Sequence, residues 1–218
     1  MAASPLRIDF VSDVACPWCA VGLWSLDRAI ERLGDEVPVE LHFEPFELNP
    51  TMPPQGEDAV DYIARKYGRP PEAIAQTRAL LRERGAEVGF AFGDRQRIWN
   101  TFDAHRLLHW AGLTPGGGQA ALKHALLAAY HGRGENPGDR AVLLRAVDEA
   151  GLDGARAAAI LDSDEYASEV RARERHWQQL GIHGVPAAIV SGRHLISGGQ
   201  PPEVFEQALR QIAAATAA

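Results

Sequence analysis

Two kinds of hydrophobic rhythm run along this chain, and the switches between them mark its organisation. Leu6-Arg7-Ile8-Asp9-Phe10-Val11 and Val39-Glu40-Leu41-His42-Phe43-Glu44 place apolar side chains at every second position, the period of a half-buried strand. Between them, Leu23, Leu26, Ile30 and Leu33 recur at helical spacing as far as Gly34, a residue suited to a helix C-terminal cap. Strand, helix, strand in that order predicts a right-handed βαβ unit with a parallel strand pair.

From Thr51 the helical period takes over. Helices are expected over 57–67, 71–86, 100–111, 118–131, 139–150, 155–162 and 164–180, punctuated by Pro70-Pro71, Gly112, Gly116-Gly117-Gly118, Asn136-Pro137-Gly138, Gly151 and Gly154. Asn100 and Asp103 are expected to cap the third of these. No strand pattern interrupts the run. A stretch this long is a subdomain with its own core rather than a loop. At Gly181 the sheet pattern returns. Ala187-Ala188-Ile189-Val190 and His194-Leu195-Ile196-Ser197 flank Ser191-Gly192-Arg193 as a hairpin. A last helix follows, with the stripe Val204, Phe205, Ala208, Leu209 and Ile212. The expected division is a discontinuous domain of residues 1–50 and 181–218, with residues 51–180 inserted.

Composition narrows the class. A hydrophobic content of 46% is ample for a core, and a net charge of −7 implies no nucleic-acid partner. Met1-Ala2-Ala3-Ser4-Pro5 has neither a basic nor an apolar leader pattern, so no signal peptide or membrane span is expected and a cytoplasmic site is. The oligomeric state is left open.

The chemistry lies in Cys16-Pro17-Trp18-Cys19, which holds both of the chain's two cysteines. It falls between a strand and a helix, the context of a thiol–disulfide redox site. Pro17 suits the first helical position, which places Cys16 at the helix N-terminus and Cys19 in the first turn. Unpaired amides and the helix dipole favour a Cys16 thiolate, and Cys19 becomes the resolving thiol. Trp18 shields the pair. Zinc would need two of the eight histidines as further ligands, and His105 and His109 do not stand in finger-like positions. A structural disulfide would close too small a loop to add much stability. No metal site is expected.

The βαβ unit with its C-x-x-C, the helical insertion, Gly184-Val185-Pro186-Ala187 and the closing ββα resemble the DsbA-like branch of the thioredoxin superfamily. Phe46-Glu47-Leu48-Asn49-Pro50 and Asn100-Thr101-Phe102-Asp103-Ala104-His105-Arg106 bring it nearer the FrnE-type cytosolic subgroup. The resemblance implies an α/β thioredoxin fold (βαβ…ββα) with a large all-helical insertion. It implies Cys16 as nucleophile, Cys19 as resolving thiol and Pro186 as a cis-proline facing the disulfide, with Val185 offering backbone groups to an extended substrate. The activity implied is thiol–disulfide exchange with protein or small-thiol disulfides, with no bound cofactor beyond the redox-active Cys16–Cys19 pair. Some FrnE-type proteins carry a second cysteine pair, and this chain has none.

The same fold includes 2-hydroxychromene-2-carboxylate isomerases and kappa-class glutathione transferases, in which a serine typically replaces the first cysteine. Cys16 therefore favours redox chemistry, with the glutathione-dependent isomerase or transferase as the alternative. A non-catalytic redox-sensing or binding module is a second alternative. Glutathione is a candidate co-substrate, because Asn49, Val185, Gly199 and Gln200 lie where those relatives hold it. Asn100, Asp103 and His105 are candidates to line a cleft, set against plain capping roles and an interior hydrogen bond. Asp13 is a candidate to assist proton transfer at Cys19, set against a solvated turn residue. His42 and Glu44 are expected at the surface or at an interface, Trp99, Phe102 and Trp110 in the core, and Arg171, Arg173, Glu174 and Arg175 on a solvated helix face.

Overall fold

The computed structural model describes residues 5–217. The Met1-Ala2-Ala3-Ser4 start, read above for its leader pattern, lies outside them. The first half of the chain forms β1 (Leu6–Ser12), α1 (Pro17–Leu33), β2 (Val39–Pro45), β3 (Glu57–Asp58), α2 (Ala59–Tyr67), α3 (Pro71–Val88), β4 (Arg97–Ile98) and α4 (Phe102–Leu113). Then come α5 (Gln119–Leu127) with a π-helical turn (Ala128–Gly132), α6 (Arg140–Glu149), α7 (Gly154–Leu161), α8 (Ala167–Gln179), β5 (Ala187–Val190), β6 (His194–Ser197) and α9 (Pro202–Ala217).

The strand order is β2-β1-β5-β6, with β2 parallel to β1 and the other pairs antiparallel. Phe10 of β1 stands between Phe43 and Ala188, so the alternation read in the sequence becomes one buried face. On that face Ile8 and Phe10 pack against Leu23 and Leu26 of α1 and Phe205 and Leu209 of α9. Side chains of this size contribute ~1.5–3 kcal/mol each on full burial. The opposite face, with Val11, Ala187 and Ile189, is covered by Trp177 of α8 together with Phe46 and Ile182.

A second core joins Leu107, Leu122, Leu126, Tyr130, Leu143 and Ile160 from α4 to α7, and it takes in Val14 and Ala15 from the loop before α1. Helix α3 ends on the sheet's core instead, where Phe90 meets Trp24 edge-on at 4.6 Å. The outer edge of β2 is closed by a side chain. Gln119 accepts from the Phe43 amide at 3.0 Å and donates to the Phe43 carbonyl at 3.0 Å, as a neighbouring strand would.

Several expectations change. The run after Thr51 is not wholly helical: Glu57 and Asp58 pair antiparallel with Ile98 and Arg97. The helix expected from 57 starts at Ala59, because Asp58 accepts from the Val60 and Asp61 amides and so caps it. Asn100 does accept from the Phe102 amide, at 2.8 Å, but Asp103 takes no part in capping and pairs with Arg106 one turn on. In α9, Val204 is exposed rather than part of the buried stripe. Of the two places expected for Glu44, it takes the interface: Arg173 of α8 grips it at 2.6 and 2.8 Å, and the Trp177 indole N–H donates to it at 3.0 Å. The helix face of Arg171, Arg173 and Glu174 is accordingly not a solvated one. It meets carboxylates of β2 and of the segment just after it, Glu44 and Glu47, with Glu174 buried, and only Arg175 of the group stays exposed.

Candidate active site

Cys16 is the N-cap of α1, with extended backbone (φ −89°, ψ 114°), and Pro17 occupies the first helical position. The Cys16 amide donates to the Asp13 carbonyl at 3.2 Å, and the Cys19 amide to the Cys16 carbonyl at 3.0 Å. Both cysteines are free thiols. Cys16 retains 4% of its surface and Cys19 none, so of the two only Cys16 reaches the surface at all. A hydrogen bond from the Cys19 thiol, with the Cys19 and Trp18 amides, holds the Cys16 thiol below its ordinary range, against its burial and the Asp13 charge. Burial pushes Cys19 well up, and the neighbouring Cys16 adds to the effect. The two sulfurs are thus differentiated as nucleophile and proton-holding partner.

Opposite the pair stands the Val185–Pro186 peptide, which is cis. The Cys16 sulfur lies 3.6 Å from the Val185 carbonyl oxygen, and the Gly198 amide donates to the Pro186 carbonyl at 2.8 Å. Two glycines allow this approach. A Cβ on Gly22 would stand 3.0 Å from Pro186 Cγ, and one on Gly199 would stand 2.9 Å from the Trp18 carbonyl.

Behind the cysteines lies a buried polar knot centred on Asp13, which is fully enclosed and not the solvated turn residue weighed above. Its Oδ1 accepts from the Ala15 amide (3.0 Å), the Thr101 hydroxyl (2.8 Å) and His105 Nε2 (3.3 Å), and its Oδ2 from the Leu48 amide (2.7 Å). Burial works against the charge, but His105 and the two amides overcome it and hold the carboxyl below the usual carboxylate range. His105 is likewise buried, behind the site rather than lining an open cleft.

Of the other expected residues, Asn49 follows the Asp13-bound Leu48 and accepts from the Tyr62 hydroxyl (2.7 Å) and the Lys66 ammonium (2.8 Å). Gly199 lies against Trp18, and Gln200 folds back to donate to the Ser197 carbonyl at 2.8 Å. Asn100 reaches the buried Glu47 at 3.4 Å, and Asp103 turns away to Arg106. Among the described residues no group of three His, Cys, Asp or Glu side chains could hold a metal ion.

Three groups lacked any local signal in the sequence. Lys123 of α5 is 99% buried by its 1% exposure, and its charge bears on Cys19, Asp13 and Cys16; burial holds its ammonium below the ordinary lysine range. His131 Nε2 donates to the Val14 carbonyl at 2.8 Å, and burial, with Arg95 nearby, brings its imidazole down to about 3, so it is neutral. Arg95 donates to the Ala15 carbonyl at 2.9 Å. Gly22 did carry a signal, since a glycine inside a helical pattern usually answers a packing demand.

Comparison with known proteins agrees with this geometry. A family model described as a DSBA-like thioredoxin domain matches residues 7–210. A probable DsbA oxidoreductase from Streptomyces coelicolor superposes with a TM-score of 0.86 at 34% identity, over 94% of this chain and 89% of that one. A 2-hydroxychromene-2-carboxylate isomerase shares the fold, with a TM-score of 0.73 at 14% identity over 97% and 98% of the two chains. So does the cytosolic disulfide reductase DsbM from Pseudomonas aeruginosa, solved with GSH: TM-score 0.63, 19% identity, 94% and 98% covered.

Proposed function

The chain belongs to the DsbA-like thioredoxin-domain family, and from that membership we propose that it is a dithiol–disulfide oxidoreductase working through Cys16 and Cys19. The observation that carries the reading is the asymmetry of the pair. Cys16, at a helix N-terminus and beside the Val185 carbonyl, is held toward the thiolate, while Cys19 is held as the thiol.

The Cys16 thiolate attacks one sulfur of a substrate disulfide, and the other sulfur leaves as a thiolate that takes up a proton. The Cys16 sulfur, now in a mixed disulfide, no longer accepts the Cys19 hydrogen bond. Cys19 gives up its proton, attacks Cys16 and releases the second substrate thiol. The substrate is reduced by two electrons and the pair is oxidised. Run in reverse, the same steps oxidise a dithiol. Asp13, His105 and Lys123 stand behind Cys19 as groups able to bias its deprotonation. An extended substrate strand would pair with the backbone at Val185.

A cytoplasmic site of action goes with this reading. DsbM is a cytosolic reductase by name, and no helix among the described residues is long and apolar enough to cross a membrane. A second reading is a glutathione-dependent isomerase, favoured by the likeness to 2-hydroxychromene-2-carboxylate isomerase and by Asn49 and Lys66 meeting beside the Asp13 knot.

The test is the Cys16 pKa, from thiolate absorbance against pH, together with the potential of the pair in glutathione buffers. A reversible two-electron couple and a pKa below the ~8.5 of a free cysteine support the reading. A thiol at its ordinary value with no clean couple overturns it. Cys16→Ser should abolish exchange; if it instead spares turnover of an isomerase substrate, the second reading stands.

A further inference from the structure

Directly beside the nucleophile is a small cavity that none of the exchange steps uses. Pro17 forms one wall, Arg78 and Arg82 of α3 another, and Asp94 and Arg95 of the following loop a third, with His131 at the back. Its volume of about 40 Å³ exceeds the space of one water and suits a carboxylate.

The charge of this cavity is unusual for the molecule. Three guanidinium groups face one carboxylate, in a chain of net charge −7. Arg95 and Arg78 spend their observed hydrogen bonds on backbone carbonyls, of Ala15 at 2.9 Å and of Arg95 at 3.2 Å, so their charge is not neutralised there. Arg82 lies 3.6 Å from Asp94, and both side chains are more than half exposed, which makes this a weak pair. A guanidinium has five donors in a fork matched to carboxylate geometry, and most of these remain free. Pro17 follows Cys16 in the chain, so a carboxylate a few bonds from the attacked sulfur would fall within reach of the cleft.

We propose that this arginine cleft binds the carboxylate of a small anionic disulfide and selects it over a neutral disulfide of the same shape. The proposal rests on the oxidoreductase reading above and names its substrate class. The step is a single turnover that needs no other reductant. Cys16 displaces one half of the carboxylated disulfide as a thiol, Cys19 displaces the other, and the protein is left with the Cys16–Cys19 disulfide and two released thiols.

The experiment compares dithiodipropionate, a dianion, with dithiodipropionamide, its neutral isostere, as oxidants of the reduced protein. Each second-order rate is read from tryptophan fluorescence, Trp18 being next to the reacting sulfur. Each is divided by the rate of the same disulfide with dithiothreitol, which removes intrinsic reactivity. The expected result is a normalised preference of roughly tenfold for the dianion, falling as salt is raised to about 0.5 M. Arg78→Gln and Arg82→Gln should each cut the preference by about threefold or more while leaving the amide rate unchanged. A normalised preference near one in the native protein, or a preference that survives in both variants, overturns the proposal. If neither disulfide reacts, the oxidoreductase reading falls and this proposal with it, so the two failures are distinguishable.

Discussion

Replacing Asp13 with Asn tests the buried knot most directly, because it changes one atom and one charge with little change in volume. In the native protein three donors converge on Oδ1 and one, the Leu48 amide, on Oδ2. An asparagine presents one acceptor oxygen. With that oxygen placed at Oδ1, the new NH₂ faces the Leu48 N–H and leaves it unpaired in the interior, at a cost of about 1–3 kcal/mol. The remaining bonds lose their charge assistance, about half their strength. Together these give an expected destabilisation of about 2–4 kcal/mol. At a urea m-value of about 2.5 kcal/mol/M this is a midpoint shift of roughly 0.8–1.6 M. The pH dependence supplies a second check. The folded carboxyl is held below its usual range, so its contribution is fully present above the unfolded value of ~3.9 and is lost as pH falls through the folded one. The gap between native and variant should be constant from neutral pH to about pH 5 and shrink in more acid solution. The Cys16 thiol pKa should fall in the variant, because the Asp13 charge raises it. A variant within ~0.5 kcal/mol of the native protein, or a gap that persists undiminished into acid, would refute the account.

Two further predictions concern the frame around the site. Gln119→Leu should destabilise the protein by about 2–3 kcal/mol in urea melts, because it strips partners from the Phe43 amide and carbonyl at the edge of β2; an unchanged midpoint would mean that water closes this edge equally well. His124 donates to the Asp27 carboxylate at 2.6 Å and to the Ala120 carbonyl at 2.7 Å, which requires both ring nitrogens protonated. Its burial opposes the charge, but Asp27 and the carbonyl prevail and raise its pKa. The pair's stabilisation is then fully present below the unfolded value of ~6.5 and lost as pH rises through the folded one, amounting to less than ~1 kcal/mol at this exposure. Titration of His124 by NMR should place it above the reference value, and Asp27→Asn should bring it down; a native His124 at or below the reference contradicts the pairing.

The parts legible in the sequence are those whose signal is local. Cys16, Pro17 and Cys19 announce themselves because strand end, helix start and thiols are adjacent in the chain. The sheet strands were readable because Ile8, Phe10, Leu41 and Phe43 keep a period of two. The β3–β4 ladder was not, since two residues per strand carry no period and only their pairing across the fold, Glu57 with Ile98 and Asp58 with Arg97, makes them strands. The face of Arg171, Arg173 and Glu174 looked solvated for a similar reason. A polar helix face reads the same in sequence whether it meets water or, as here, Glu44 and Glu47. Lys123 is the clearest case. Nothing in Ala121-Leu122-Lys123-His124 distinguishes a lysine beneath the reacting sulfurs from one on the surface, because that depends on how α5 docks.

The docking of these helices matters for the chemistry. The loop carrying Cys16 is held at successive residues by groups distant in sequence. Thr101 and His105 of the α4 region bond Asp13, His131 bonds Val14, and Arg95 bonds Ala15. Val14 and Ala15 themselves sit in the core of the helical segment. The backbone entering the nucleophile is therefore positioned by the helices as much as by the sheet, while Cys19 and Pro186 are positioned by α1 and the β5 loop. A loop anchored on one side and opposed on the other keeps the Cys16 sulfur in register with the Val185 carbonyl. A change in how the helices pack would then move the thiolate relative to the strand-pairing groups, altering exchange without touching either cysteine.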